Sequence, residues 1–181
     1  MRVIAGIAKK RLLKVPSGWT GRPTADRVKE SLFNILGSRV LDCVFLDLFA
    51  GTGNIGIEAL SRGAKKAVFV EKDRRAAGSI GHNLKLTGFA SRSKIIVRDV
   101  YPALAGLAGT GEPFDIVFLD PPYGLGFEVP VIKKVTELEL LALNGLIVSE
   151  SSKKEKLPPE IGGVTLLRQE RYGDTVISFY Q

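Results

Sequence analysis

A chain of 181 residues with 45% hydrophobic content holds enough material for one sizeable core and little for a second full domain. No apolar run reaches the ~18 residues of a membrane span, and the opening Met1-Arg2-Val3-Ile4-Ala5-Gly6 lacks the basic-then-apolar order of a secretory signal, so a soluble, cytoplasmic protein is expected. The single Cys43 excludes an intrachain disulfide, and one cysteine with one histidine, His82, cannot supply an ordinary zinc site, so no metal is expected.

The net charge of +7 is unevenly held. Residues 1–39 contain nine basic side chains against two acidic ones, while residues 40–181 hold seventeen of each sign. A cationic surface confined to one segment is what a polyanion such as nucleic acid would meet first. Within it, Val3 to Ala5 and Leu12 to Val15 flank a turn-like Gly6 to Lys10, predicting a small two-stranded hairpin with basic residues at its tip and along its second strand. Arg2, Lys9, Lys10, Arg11, Lys14 and Arg22 are the candidate nucleic-acid contacts. A loop over Pro16 to Pro23, carrying Trp19, leads to Thr24 as the cap of a helix whose apolar face is Val28, Leu32, Ile35 and Leu36, ended by Gly37. Residues 1–39 thus read as a basic extension and 40–181 as a catalytic domain.

From residue 40 short apolar runs alternate with helical stretches, the pattern of a parallel sheet covered on both faces. The strands fall at Val44 to Leu48, Ala67 to Val70, Lys94 to Arg98, Asp115 to Leu119 and Leu146 to Ser149, and helices start near Asn54, Asp73, Val100 and Phe127. Thr165 to Arg171 and Thr175 to Tyr180 surround Tyr172-Gly173-Asp174 and read as an antiparallel hairpin. The expected fold is a doubly wound α/β sheet of seven strands, mostly parallel, with a reversed terminal strand.

The run Asp47-Leu48-Phe49-Ala50-Gly51-Thr52-Gly53-Asn54-Ile55-Gly56 follows the first of these strands and opens a helix, with Glu71 twenty residues after Gly51. The glycines allow close approach of backbone to a ligand, and Glu71 can hold two ribose hydroxyls, needs shared by NAD and S-adenosylmethionine. Asp47 separates the two, because a carboxylate there would repel a pyrophosphate but suits an ammonium and a sulfonium. Asp99 ends the third strand and is placed to accept an adenine amine. The bland readings are a turn residue for Asp47 and Asp99 and a surface carboxylate for Glu71.

A buried strand then runs into Asp120-Pro121-Pro122-Tyr123-Gly124. Paired prolines stiffen the backbone and leave carbonyls as its free polar groups. An exocyclic base amine is a poor nucleophile because its lone pair is delocalised into the ring. The Asp120 carboxylate and Pro121 carbonyl can accept its hydrogens and offset the charge that develops on attack, while Tyr123 stacks on the extruded base. Methylation at a pyrimidine carbon usually needs a cysteine nucleophile, and Cys43 lies far in sequence from this loop; it reads as a small buried apolar residue.

Together these residues resemble the RsmD family of bacterial guanine-N2 methyltransferases of small-subunit (16S) ribosomal RNA. The likeness covers Arg2 to Gly6, Arg22 to Asn34, Leu46 to Gly56, Glu58 to Ala64, Val70-Glu71, Asn83, Phe114 to Tyr123, and Tyr172 to Asp174 with Ile177 to Tyr180. It implies a Rossmann-like S-adenosylmethionine-dependent fold. The donor would lie along Asp47, Phe49, Ala50, Gly51, Thr52 and Gly53, its ribose at Glu71 beside Lys72, its adenine at Asp99 and Val100, and the target amine at Asp120, Pro121, Pro122 and Tyr123. It implies ribosomal RNA, free or in a small-subunit particle, as partner, docked by the basic segment of a monomer away from any membrane. Asn54 departs from the small apolar residue expected there. Competing readings are a DNA adenine-N6 or protein glutamine methyltransferase using the same tetrapeptide, a non-catalytic RNA-binding module with a vestigial pocket, and a hydride-transferring oxidoreductase disfavoured by Asp47.

Overall fold

A computed structural model describes residues 1–16, 25–109 and 111–181. In chain order it comprises α1 (Asp26–Leu36), β1 (Val44–Leu48), α2 (Asn54–Ser61), β2 (Lys66–Val70), α3 (Arg74–Thr87), β3 (Ser93–Ile96) and α4 (Val100–Leu107). Then come β4 (Phe114–Leu119), α5 (Glu128–Glu137), β5 (Leu141–Ser152), β6 (Glu160–Ile161), β7 (Val164–Tyr172) and β8 (Thr175–Tyr180). The strands form one sheet in the order β3-β2-β1-β4-β5-β8-β7-β6. The first five are parallel, and β8 inserts antiparallel between β5 and β7. This is the expected doubly wound sheet with its reversed end; the two-residue β6 is an added edge strand.

Side chains of the central strands β1, β2, β4 and β5 alternate between two apolar layers. Phe45, Phe69, Phe118 and Val148 meet α1, α2 and α3 through Leu32, Ile57, Leu60 and Ile80. Leu46, Val68, Val117 and Ile147 meet α4 and α5 through Leu104, Val131 and Val135. Burial on both faces is why these strands read as continuous apolar runs. The order reverses between β1 and β4, so their carboxyl ends diverge into the crevice where open α/β sheets bind ligands.

The N-terminal segment differs from its expectation. Instead of a two-stranded hairpin there is one bridge, Arg2 to Leu12. The donors that would extend a ladder are taken elsewhere: Ile4 and Ala5 N–H groups donate to the Glu58 carboxylate at 2.8 and 3.0 Å, and Ile7 and Ala8 N–H groups to Ser61. Gly6, at φ 79°, lies so close to α2 that a Cβ would fall 1.8 Å from the Ser61 carbonyl oxygen. The segment is therefore laid along α2, and its pairing with itself is limited to the bonds from the Val3 and Leu13 N–H groups around that bridge and one from Lys10 to the Val3 carbonyl.

Lys29 is a second correction. Counted above with the external cationic excess, it is fully buried, 3.4 Å from Glu58, and donates to Asn54 Oδ1 and the Arg2 carbonyl. Burial lowers its pKa, and the Glu58 carboxylate opposes that shift. The third strand ends at Ile96, two residues short of the expected Arg98, which is exposed with Val97. The expected Thr24 cap, the Trp19 loop and Arg22 lie outside the described residues; α1 starts after Ala25 with no side-chain cap and ends at Gly37 as expected.

Candidate active site

At the carboxyl ends of β1, β2 and β4 lies a cavity of about 420 Å³, large enough for a nucleoside-sized ligand. Of the expected ligand residues, Asp47, Phe49, Ala50, Gly51, Thr52 and Glu71 line it; so do Lys72, Asp99 and Val100. Asp120, Pro121, Pro122 and Tyr123 line the same space, which brings the two motifs together. Gly53 does not line it, and shapes the turn from behind. His82 is an exposed residue of α3, and Cys43 is buried with its thiol pKa pushed up to about 12, first by desolvation.

The turn between β1 and α2 is wound through the left-handed region: φ is 60° at Phe49, 55° at Gly51 and 80° at Gly53. Glycine adopts this freely, whereas an aromatic residue does so at a cost of about 1–2 kcal/mol. The Phe49 ring packs on Phe127, centroids 5.6 Å apart, and the next N–H, of Ala50, donates to the Val70 carbonyl at 2.9 Å. Gly56 lets α2 close on β2, since a Cβ there would sit 2.3 Å from the Phe69 ring.

The three carboxylates of this half all hold backbone as well as facing the cavity. Glu71 accepts the Gly51 and Asp73 N–H groups, each at 2.7 Å, one on each oxygen. Asp99 caps α4 through a long bond from the Tyr101 N–H at 3.4 Å. Asp47 is 1% exposed and accepts the Gly56 N–H at 2.8 Å. Desolvation pushes its pKa up to about 7, helped by Glu71 and opposed by the Gly56 bond. Asp47 is thus a turn residue as well as a lining one.

On the other side, β4 delivers Asp120, the buried Pro121, the exposed Pro122 and the half-buried Tyr123. The Tyr123 hydroxyl donates to Glu150 Oε1 at 3.0 Å and lies 3.3 Å from Thr175 Oγ1. Desolvation raises its pKa, so it stays a protonated donor. The Gly124 N–H is held by Glu155 at 2.7 Å, and the same carboxylate accepts the Ser152 N–H, so the loop after the tetrapeptide is fastened to the end of β5.

Sequence reasoning missed Glu150, Asn54 and Arg98 as lining residues. A glutamate within the apolar Leu146 to Ser149 stretch and its continuation was the available signal for the first. Asn54, noted only as a departure, accepts from Lys29 at 2.6 Å, and its buried Nδ2 has no partner among the described residues. Asn83 donates to the Thr52 and Lys14 carbonyls, and its Oδ1 accepts the Lys14 N–H, joining the glycine turn to the N-terminal segment. Lys9, Lys10, Arg11 and Lys14 are exposed along that segment, and Arg2 is exposed but paired with Asp26 at 3.1 Å.

A family model described as conserved hypothetical protein 95 matches residues 1–181. The chain is 36% identical to Escherichia coli (strain K12) ribosomal RNA small subunit methyltransferase D, covering 100% of this chain and 89% of that one. It is 38% identical to Bacillus subtilis (strain 168) YlbH, named as a candidate rRNA methyltransferase, over 100% and 98%. A solved structure of Escherichia coli YhhF superposes with a TM-score of 0.87 at 35% identity, over 100% of this chain and 97% of that one. The glycine turn and the Asp-Pro-Pro-Tyr loop that share this cavity therefore belong to a chain of that family, the RsmD family of small-subunit ribosomal RNA methyltransferases.

Proposed function

We propose that this protein transfers the methyl group of S-adenosylmethionine to the exocyclic N2 amine of a guanine in 16S ribosomal RNA. The observation that carries the reading is one cavity lined both by the Asp47 to Glu71 turn and by Asp120 to Tyr123. The residues present fit the donor: Glu71, whose oxygens each already accept one backbone N–H, keeps acceptor capacity for ribose hydroxyls, and Asp47 and the turn carbonyls suit an ammonium. Asp99 and Val100 are the residues for the adenine. When bound, the donor supplies an electrophilic methyl group on a sulfonium, and no metal is needed.

The protein's own part is orientation and charge. Asp120 and the Pro121 carbonyl accept the two amine hydrogens, turn the nitrogen toward the donor, and offset the positive charge that builds on it. Tyr123, its hydroxyl tethered at Glu150, presents its ring to the extruded base. Lys9, Lys10, Arg11 and Lys14 meet the phosphates, and Arg2 and Arg22 belong to the same basic segment of the sequence. The chain acts as a cytoplasmic monomer on RNA, free or within a small-subunit particle.

The test is single-turnover transfer of labelled methyl to ribosomal RNA from cells lacking this protein, followed by nucleoside analysis and mapping. N2-methylguanosine at one position of the small-subunit RNA is expected. Methylation on a ring carbon, or of adenine only, would overturn the reading.

A further inference from the structure

The parallel register of β4 on β5 pairs Phe118 with Val148 and Leu119 with Ser149, so Asp120 and Glu150 are the next residues on neighbouring strands. Phe118 and Val148 lie in the same apolar layer, and side chains alternate along a strand, so the two carboxylates come to one face, side by side. Both line the cavity. Glu150 is 5% exposed, and the Tyr123 hydroxyl bonded to its Oε1 also lies against Thr175 of β8, which fixes the carboxylate in place. The tyrosine takes one of the roughly four acceptor positions of this carboxylate.

Two adjacent acceptor-only groups match one purine edge and oppose the other. Guanine presents its N1–H and its N2 amine as neighbouring donors, whereas adenine presents an amine beside the N1 lone pair. We infer that Glu150 is the base-selecting residue of the site, accepting the N1–H of the target guanine while Asp120 and the Pro121 carbonyl take its N2 amine. The inference rests on the guanine-N2 reading above and adds to it the reason for guanine. An adenine in the same pose would set a lone pair against a buried carboxylate, and such unpaired contacts are what make hydrogen-bonding sites selective.

The test uses RNA carrying either guanine or 2-aminopurine at the mapped target position. 2-Aminopurine keeps the amine at carbon 2 but has a lone pair at N1. Wild-type protein should transfer methyl to guanine faster than to 2-aminopurine by about 10- to 100-fold, a comparison that needs no variant. Glu150→Gln keeps an oxygen for Tyr123 and offers N–H donors to N1, so the ratio should fall to near unity, with guanine slowed and 2-aminopurine quickened. Glu150→Ala should lower the ratio through loss of guanine alone. Affinity for S-adenosylhomocysteine, measured by calorimetry, should be unchanged in both variants. Binding of the 2-aminopurine RNA, followed by the fluorescence rise on unstacking, should strengthen in Glu150→Gln. An unchanged ratio, or equal slowing of both substrates, would overturn the assignment of Glu150. If wild-type protein methylated neither purine at the carbon-2 amine, the guanine-N2 reading would itself fail, a result visible without any variant.

Discussion

The two halves of the cavity are built on different principles. In the glycine-turn half, Asp47, Glu71 and Asp99 each hold a backbone N–H while lining the cavity, so the carboxylates that fix the turns are also the ones the cavity presents. In the Asp-Pro-Pro-Tyr half the backbone is stiffened by prolines and by Glu155 from outside the tetrapeptide, and the side chains are tied to one another, as Tyr123 is to Glu150 and Thr175. A substitution in the first half should therefore cost structure and donor binding together, and one in the second half should change target selection or chemistry and leave both of those alone.

The sharpest test of that contrast is Asp120→Ala. Losing an electrostatic partner of the developing charge should slow single-turnover methyl transfer by about 100- to 1,000-fold, with melting temperature and S-adenosylhomocysteine affinity held. Asp120→Asn should lose less, because its amide oxygen still accepts one amine hydrogen. Glu71→Ala should behave in the opposite manner. It leaves the Gly51 and Asp73 N–H groups without their acceptor, so calorimetry should show affinity weakened by about 10- to 100-fold and thermal denaturation a lower melting point in the same protein. Wild-type stability in Glu71→Ala would erase the distinction between the halves.

Outside both halves, replacing Lys9, Lys10, Arg11 and Lys14 by alanine should leave S-adenosylhomocysteine binding alone. RNA affinity measured across a salt series should fall, with the slope of log K against log salt reduced by about 0.7 to 0.9 for each side chain that meets a phosphate. The smallest effect concerns pH. Asp47 titrates near 7 in the ligand-free fold and near 4 when unfolded, so its contribution to stability is present at low pH and is lost as pH rises from about 4 through 7. A ligand ammonium favours the ionised form and works in the other direction. Affinity for S-adenosylhomocysteine should fall by about tenfold from pH 8 to pH 6, while methylthioadenosine, which lacks the ammonium, should bind with little change.

Much of this architecture is legible in the sequence. Strands buried on both faces announce themselves as apolar runs, and Gly51, Gly53 and Asp120 to Tyr123 sit at turns whose chemistry is local. What was not legible depends on long-range pairing. Lys29 reads as one more basic residue until Glu58, from another helix, stands 3.4 Å from its amine. The N-terminal hairpin is cut to a single bridge because Glu58 and Ser61 compete successfully for its other N–H groups, a contest that local pattern does not record. Glu150 is hidden because it lies in a strand whose role looks wholly structural, and only the register with β4 sets it beside Asp120.

The place of β8 has a consequence for the order in which the molecule is made. It is a late segment of the chain, yet it fills an interior slot of the sheet and supplies Thr175 to the Tyr123 hydroxyl. While residues 175–180 are still within the ribosome, β5 presents an unpaired edge, the kind of surface to which other strands adhere. The Tyr123 hydroxyl also lacks one of its two partners. A nascent chain can close the glycine turn early, but the Asp-Pro-Pro-Tyr half is completed only after β8 has emerged and seated, so under the function proposed above any RNA held by the basic segment during synthesis would be held before transfer is possible.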